Sequence, residues 1–524
     1  MENEYAGRPA APRTPARRAD TMLSLSARAG RLAARQLHTA TAGRRAAGAD
    51  EQPPPTPTEP IRRERAPPPE DPFQRAARIF SDDMRFLWEG KKSRTFFPSH
   101  CDVCIIGGGI MGSAIAFWLK LRAGPGVQVV VVERDSTYRT ASTPLSVGGL
   151  RQQFSLPENI QMSMFSAQFL RNADRFLTVE GDEPPAIQFH PHGYLMCASP
   201  EKAELLEQNY RTQMENGAKM ELMTPARLKE RFPWINTDGV ALACHGQENE
   251  GWFDPHALLS AFRRKAIQLG AEFVEGEAAG FESRYVPNMQ SMGKQSVAGG
   301  NYVLDRAVIR LKNGDVKTVK AAIFVASAGA NTAQVARLAG IGEGEGLLAT
   351  PVPVEPRKRY VYFYHSPDGP GLDCPLLIDP SGAYFRREGH GGHYIGGKSP
   401  TGTADDPEPS ADNLDVDYDY FQSHVWHHLA HRVHSFENLK VKSAWAGYYD
   451  YNTLDQNAII GPHPHHHNLF MATGFSGHGI QQAPAVGRAI TEHILDGEYR
   501  TIDLTRMGFE RVLANQPLYE QNIV

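Results

Sequence analysis

The sequence predicts an α/β fold made of two interleaved parts, one with a mostly parallel sheet and one with an antiparallel sheet. Two apolar runs, residues 103–106 and 127–132, flank a glycine-rich turn and a helix-like segment, which is the order of a parallel strand–helix–strand unit. A strand–helix pattern returns at residues 251–277 and 321–340. From residue 351 the chain instead alternates like antiparallel strands. We therefore expect a discontinuous parallel-sheet domain that carries an antiparallel insertion.

These patterns and the bulk composition set the expected domains and exclude several classes of protein. We predict a parallel-sheet domain from residues 97–185, 251–350 and 441–524, and an inserted domain from 186–250 and 351–440. The 524 residues are 41% hydrophobic, enough for a sizeable core, and the net charge of -4 gives no reason to expect nucleic acid. Five scattered cysteines do not predict a disulfide framework. No run of apolar residues is long enough to predict a membrane-spanning helix.

The first 96 residues differ in composition from the rest of the chain. From residue 21 to residue 49 there are five arginines and no acidic residue, and the arginines favour one side of an amphipathic helix. This composition predicts a mitochondrial presequence, and the alternative is a basic disordered tail. Residues 51–71 are rich in proline and predict a solvated linker. We expect import to remove the amino-terminal segment and to leave a mature chain that begins between about residues 40 and 95.

The first glycine-rich turn has the spacing Gly107-x-Gly109-x-x-Gly112, typical of a Rossmann-like dinucleotide site. Gly107 permits the tight turn, Gly109 lets a pyrophosphate approach the backbone, and Gly112 lets the helix lie against the strand. The helix begins near Ile110 and Met111, whose N–H groups and dipole would attract phosphates. The alternative is a glycine turn in another α/β unit.

Two further segments belong to the expected cofactor site. The second apolar run ends in Glu133 and Arg134, and the Glu133 carboxylate can accept both ribose hydroxyls and would repel a 2′-phosphate. A loop rich in Ser, Thr and Gly follows, in which Ser142, Gly148 and Gly149 are expected to pass close to the cofactor. Both NAD and FAD are compatible with these residues.

The later strand–helix units favour FAD. Asp254 precedes Pro255 in a pattern typical of a helix cap, and the following strand would be the third of the nucleotide sheet. A buried strand then enters a turn at Ala328 and Gly329. A second loop of this kind is not expected of the simplest NAD domain, whereas the larger FAD molecule needs several loops to enclose it.

A third glycine turn lies near the carboxyl terminus, between a buried strand at 469–472 and a helix. The N-terminus of this helix can point at the pyrimidine edge of a flavin and stabilise negative charge on the reduced ring. The alternative is one more strand–helix connection. The candidate residues are Gly474, Gly477, His478, Gly479 and Ile480. Histidines at 424–434 and 463–467 have no accompanying cysteine or carboxylate set, so we expect no metal.

Four motifs together resemble the D-amino-acid oxidase superfamily: the glycine fingerprint, GWFDP, the ASAGA loop and TGFSGHG-x-x-x-AP-x-VG. Within this superfamily, residues 100–500 are similar to the sarcosine, dimethylglycine and glycine oxidoreductases. The resemblance implies an FAD domain with an inserted antiparallel substrate domain. Longer blocks, such as SVGGLRQQFSLPENIQ and SAWAGYYDYNTLDQNAIIGPHP, resemble a narrower family of mitochondrial flavoproteins that act in assembly of respiratory complex I. They imply a peripheral position on the matrix side of the inner membrane.

The resemblance also assigns substrate-side residues. Arg151 falls where amine-oxidising relatives carry an arginine that binds the substrate carboxylate, and Arg386 is a second candidate. Gln481 replaces a carboxylate-binding lysine of those relatives. The lysine that promotes their reaction with oxygen aligns nearest Gly396, and Lys398 lies two residues further on.

The relatives that bond their flavin covalently use a cysteine or a histidine. These residues fall near Tyr448 and Ser146 in this sequence, so we expect FAD to be held non-covalently. We interpret the chain as a matrix flavoprotein that works with complex I assembly intermediates. The alternative is a dehydrogenase or oxidase of N-methyl or small amino acids. A dehydrogenase that uses only NAD has little support, because it would leave the third glycine turn unused.

Overall fold

The computed structural model describes residues 97–286 and 301–521, so the expected presequence and linker lie outside the described residues. The strands are β1 (His100–Ile106), β2 (Val129–Glu133), β3 (Gly149–Leu150), β4 (Tyr194–Ala198), β5 (Met220–Met223), β6 (Leu242–Gly246), β7 (Gly251–Trp252), β8 (Glu272–Glu275), β9 (Glu277–Val286), β10 (Asn301–Arg310), β11 (Val316–Ala326), β12 (Val354–His365), β13 (Leu376–Ile378), β14 (Ala383–Glu388), β15 (His393–Lys398), β16 (Lys440–Asn452), β17 (Ile459–Pro462) and β18 (Leu469–Thr473). The helices are α1 (Ile110–Ala123), α2 (Pro157–Arg171), α3 (Ala173–Leu177), α4 (Ala203–Glu215), α5 (Pro225–Arg231), α6 (Pro255–Gln268), α7 (Thr332–Leu338), α8 (Tyr418–Tyr420), α9 (His427–Arg432), α10 (Gly479–Asp496) and α11 (Glu510–Leu513).

The first sheet has the strand order β17-β18-β11-β1-β2-β8, and β10 and β9 extend from β11. The pairs β18–β11, β11–β1, β1–β2 and β2–β8 are parallel. Residues 103–106 and 129–132 are buried, which explains their continuous apolar runs. Helix α1 packs against α6 and α10, and Gly487 of α10 lies so close to Ala114 that a Cβ would be 2.8 Å from its carbonyl carbon. The predicted α/β fold is confirmed.

The second sheet has the strand order β16-β12-β15-β14-β13-β4-β6-β5, and every neighbouring pair except β13–β4 is antiparallel. Its core is aromatic, with Tyr362, Tyr364, Phe385 and Phe436 buried together. The strand Lys440–Asn452 belongs to this sheet, although the sequence analysis placed residues 441–452 with the first one. That division needs correction because β16 pairs with β12 of the second sheet along its whole length, and the chain returns to the first sheet only at β17.

The helices include one predicted cap and two irregular segments. Asp254 caps α6 by accepting the Ala257 N–H at 3.0 Å, and Pro255 is the first helical residue, as predicted. Helices α2 and α3 follow each other directly and are separated by the single residue Asn172. A π-helical stretch, Phe421–Trp426, joins α8 to α9.

The topology brings the three glycine turns to one edge of the first sheet. They follow β1, β11 and β18, which are neighbouring parallel strands, and parallel strands place their carboxyl ends at the same edge. No helix within residues 97–286 and 301–521 combines the length and the apolar character needed to cross a membrane.

Candidate functional site

A cavity of about 530 Å³ lies at the carboxyl edge of the first sheet and reaches the second sheet. Of the predicted cofactor residues, all except Gly112, Gly148 and Gly474 line it: Gly107, Gly109, Ile110, Met111, Glu133, Arg134, Ser142, Gly149, Ala328, Gly329, Gly477, His478, Gly479 and Ile480. Arg151 and Gln481 line it as well. The structure therefore joins segments that lie more than 300 residues apart into one site.

The first glycine turn forms a cradle of backbone around one end of the cavity. Gly107 has φ +103°, and a Cβ there would lie 2.5 Å from the Ser327 carbonyl oxygen. A Cβ on Gly112 would lie 1.9 Å from the Gly107 carbonyl oxygen, so helix and strand touch at this point. The nearest atom to a Cβ on Gly109 is Thr143 Oγ1 at 3.5 Å, so this glycine leaves open space beside the helix N-terminus. The close contact of helix and strand and the open space at Gly109 together leave room for a pyrophosphate at the helix N-terminus.

Glu133 is fixed by two backbone donors at the edge of this cradle. Its Oε2 accepts the Gly108 N–H at 2.8 Å, and its Oε1 accepts the Asp135 N–H at 2.9 Å. Burial raises the pKa of the Glu133 carboxyl, and the two N–H groups oppose that effect. A carboxylate oxygen can accept more than one hydrogen bond, so the fixed carboxylate can also take ribose hydroxyls.

The third glycine turn is organised by a carboxylate that the sequence analysis missed. Asp450 Oδ2 accepts the N–H groups of Gly474 at 2.9 Å and Phe475 at 3.1 Å. Burial raises the pKa of Asp450 to about 6. Gly477 has φ +99°, and a Cβ there would contact the Tyr449 ring at 2.6 Å. The available signal was an acidic residue inside the aromatic run YYDYN, which the sequence analysis read only as part of a family block.

Arg151 reaches the cavity from the loop before α2 and is held by the third glycine turn. Its Nη2 donates to His478 Nε2 at 2.9 Å, and its guanidinium carbon lies 4.6 Å from the centre of the Phe154 ring. Burial and the nearby charge of Arg151 together lower the pKa of His478 to about 3, so the imidazole is neutral and accepts. Gln481 Oε1 accepts the Arg151 backbone N–H at 2.7 Å.

The second sheet supplies a polar aromatic wall that sequence reasoning did not identify. It consists of Tyr194, Arg359, Tyr384, Tyr448 and Tyr449, all of which line the cavity. Burial raises the pKa of Tyr449, and of Tyr194 and Tyr384 beyond the range of ordinary phenols, so these side chains are neutral hydroxyls. Whether these side chains reach the cavity depends on which face of the sheet they occupy, and no local sequence motif indicates that face.

Two predicted residues do not line the cavity, the substrate-side candidate Arg386 and the oxygen-side candidate Lys398. Arg386 Nε donates to the Val147 carbonyl at 2.9 Å, and its guanidinium lies 5.6 Å from the Trp252 ring centre, so it anchors the loop that carries Gly148 and Gly149. Lys398 Nζ lies 2.6 Å from Asp406 Oδ2, and both side chains are buried.

The position that the resemblance assigns to the oxygen-side lysine, Gly396, does not line the cavity either. A Cβ on Gly396 would lie 2.5 Å from the Tyr384 carbonyl oxygen and 3.2 Å from Phe385 Cβ, so the sheet has no room for a lysine there. A lysine at Gly396 would therefore have to displace the backbone of β14. The resemblance could not show this lack of space, because a position in the sequence does not tell which side of β15 faces the cavity.

The cavity fits FAD rather than a metal ion. In residues 97–286 and 301–521 no group of three His, Cys, Asp or Glu side chains is placed to hold a metal. The described cavity lining contains no cysteine, and its histidine, His478, is bonded to Arg151. Ser146 and Tyr448 line the cavity where some relatives carry flavin-linking residues. This lining agrees with a cofactor held by hydrogen bonds and packing.

Comparisons with known proteins agree with this geometry. A FAD-dependent oxidoreductase domain-containing protein 1 from Xenopus laevis is 53% identical over 436 residues, 82% of this chain and 85% of that protein. Monomeric sarcosine oxidase from Bacillus sp. is 21% identical over 432 residues, 81% of this chain and 100% of that protein. L-proline dehydrogenase from P. horikoshii superposes with a TM-score of 0.66 at 25% identity, over 80% of this chain and 100% of the other.

The model of the family described as DAO, FAD dependent oxidoreductase, matches residues 102–493. That range contains all three glycine turns, Glu133 and Arg151. The chain belongs to the DAO family of FAD-dependent oxidoreductases.

Proposed function

We propose that this flavoprotein oxidises a small amino acid or N-methyl amino acid whose carboxylate binds Arg151. The observation that carries the proposal is the buried Arg151 guanidinium in the wall of the cavity. Bound FAD would supply the acceptor for a hydride from the α-carbon or the N-methyl carbon of the substrate. The names of two similar proteins, a sarcosine oxidase and an L-proline dehydrogenase, support this class of substrate.

The contacts of Arg151 suit the binding of a carboxylate. The guanidinium is oriented by His478 and Phe154, so little side-chain freedom remains to be lost when a ligand binds. Its planar fork can give a charge-assisted, bidentate pair to a carboxylate. His478 is neutral and accepts a hydrogen bond from Arg151, so it orients that side chain without adding charge. A neutral amine needs no side-chain base in this arrangement.

Anaerobic bleaching of the flavin tests this proposal. The FAD-loaded protein is mixed, without oxygen, with a panel of small and N-methyl amino acids, and absorbance of the oxidised flavin is followed. We expect one class of amino acid to bleach the wild type and to fail with Arg151→Gln. The control is chemical reduction of both proteins with dithionite. If dithionite bleaches the wild type and no member of the panel does, the proposal is wrong.

We also propose that the protein works on the matrix side of the mitochondrial inner membrane, in assembly of respiratory complex I. The support is the resemblance of its longer sequence blocks to mitochondrial assembly flavoproteins, together with the acid-free arginine segment before residue 50. Protease protection in isolated mitochondria tests the location, and a form that keeps Met1 or Met22 would contradict a cleaved presequence.

Complementation separates assembly from oxidation. Cells that lack the protein are expected to lose assembled complex I on native gels and to regain it with the wild type. Arg151→Gln should restore assembly if bound FAD is needed only for the fold, and should fail if oxidation is required. Normal levels of complex I in the deficient cells would overturn the assembly proposal.

A further inference from the structure

Arg359 on β12 presents a second guanidinium at the substrate end of the cavity. It lies in the cavity wall, buried, with its guanidinium carbon 5.4 Å from the centre of the Tyr449 ring. Burial raises the pKa of Tyr449, and the positive charges of Arg359 and Arg151 both oppose that rise. The Tyr449 ring also packs against Gly477, where a Cβ would lie 2.6 Å from it, and the next residue, His478, accepts from Arg151 Nη2 at 2.9 Å, so both arginines lie at the same end of the cavity.

The partner of Arg359 is a carboxylate from a loop outside the sheet. Glu408 lies in the segment 399–417, between β15 and α8, and its Oε2 and Oε1 accept from Arg359 Nη1 and Nη2 at 2.7 and 3.1 Å. Glu408 itself does not line the cavity. The same loop is held to the wall by Tyr448, whose hydroxyl donates to the Ala411 carbonyl at 2.9 Å. A carboxylate from this loop is therefore paired with an arginine of the cavity wall.

Glu408 can leave Arg359 without losing every cationic partner. Its Oε1 also accepts from Arg357 Nη1 at 3.1 Å, and its side chain is 28% exposed. Lys358 Nζ further ties the loop by donating to the Asp415 carbonyl at 3.2 Å. A ligand carboxylate that took the place of Glu408 would restore the bidentate pair on Arg359, while Glu408 would keep Arg357 and gain water. The exchange replaces one charge-assisted pair with another.

We propose that Arg359 binds a second acidic group of the substrate from the cavity side, in exchange for its pair with Glu408. The proposal rests on the proposed function, because Arg151 would hold the first carboxylate. The substrate class is then an amino acid whose side chain or N-substituent ends in a carboxylate or a similar anion. Tyr449, between the two arginines, would contact the carbon chain that joins the acidic groups.

Binding of paired carboxylates to the FAD-loaded protein tests the proposal without a known substrate. Each pair has the same number of carbons: propionate with malonate, butyrate with succinate, and valerate with glutarate. Binding is followed by the change in the flavin absorbance spectrum. We expect at least one dicarboxylate to bind the wild type about tenfold or more tightly than its partner, which is the scale of one added charge-assisted contact.

Three variants assign the effect to Arg359. Arg359→Gln should abolish the preference for the dicarboxylate and leave binding of the monocarboxylate unchanged. Glu408→Gln should strengthen dicarboxylate binding several-fold, because the competing charge is gone. Arg357→Lys is the control, since Arg357 contacts Glu408 but does not line the cavity, and the lysine keeps the cation that receives Glu408, so the preference should remain.

The outcomes separate this proposal from the proposed function. Equal binding of both members of every pair by the wild type, or a preference that survives Arg359→Gln, would overturn the second anion site and leave the role of Arg151 intact. Failure of every carboxylate to bind the wild type would overturn both. If Arg359→Gln does not load FAD, Glu408→Gln decides: a gain in dicarboxylate affinity supports the proposal, and no gain overturns it.

Discussion

The two ends of the cavity are built from different parts of the chain. The cofactor end is made mostly of backbone, from the glycine turns that follow β1, β11 and β18 and line the cavity. The substrate end is made of side chains on the second sheet, such as Tyr384 and Arg359. The difference shows that a backbone site is encoded by a few consecutive residues, whereas a side-chain wall is encoded by the register of several strands.

The largest expected effect comes from two glycines of the same turn. Gly112→Val should prevent folding, because its Cβ would overlap the Gly107 carbonyl oxygen at 1.9 Å. Gly109→Val should fold and lose FAD, because its side chain would enter the space left for the pyrophosphate. Circular dichroism and the flavin content of purified protein check both variants. A yellow Gly109→Val protein would contradict the backbone cradle.

Glu133→Gln should weaken FAD binding by one to two orders of magnitude and leave the substrate end intact. The amide keeps the shape of the side chain but loses the charge that strengthens hydrogen bonds to ribose hydroxyls, a difference of about 1.5–3 kcal/mol. Equilibrium dialysis or fluorescence titration of the apoprotein with FAD measures the change. Equal affinities in variant and wild type would show that Glu133 does not bind the ribose.

Asp450 should make stability depend on pH at the junction of the two ends. Its folded pKa, about 6, lies above its unfolded value, so its contribution is fully present below the unfolded pKa near 3.8 and is lost as pH rises through 6. The loss is on the order of 3 kcal/mol between pH 4 and pH 7. Chemical unfolding at both pH values measures it. Asp450→Asn should remove this pH dependence, and an unchanged profile would contradict it.

The smallest expected effect concerns Lys398 and oxygen. Because Lys398 is paired with Asp406 away from the cavity, removing both charges in the double variant Lys398→Met, Asp406→Asn should leave the reoxidation rate of the reduced flavin unchanged. Replacing both partners avoids a buried unpaired charge. Stopped-flow mixing of photoreduced protein with oxygenated buffer measures the rate. A large fall would place the cation beside the flavin after all.

The sequence by itself determined the fold class and the cofactor end. The turn at Gly107, Gly109 and Gly112 and the strand that ends in Glu133 each require conformations or contacts that only a few residue types allow. Their meaning can be read from about 30 consecutive residues, which is the length of one strand–helix–strand unit. Asp254 and Pro255 were readable for the same reason, since a helix cap depends on its immediate neighbours.

Only the tertiary structure decided the substrate end. It shows that residues 441–452 belong to the second sheet and that Arg386 and Lys398 do not line the cavity. It also shows that Asp450 and Arg359 do line the cavity. Side chains alternate between the two faces of a strand, so a shift of one residue in strand pairing would turn Arg359 away from the cavity and Lys358 toward it. That pairing joins strands far apart in the chain, such as β12 and β16, and no local stretch of sequence specifies it.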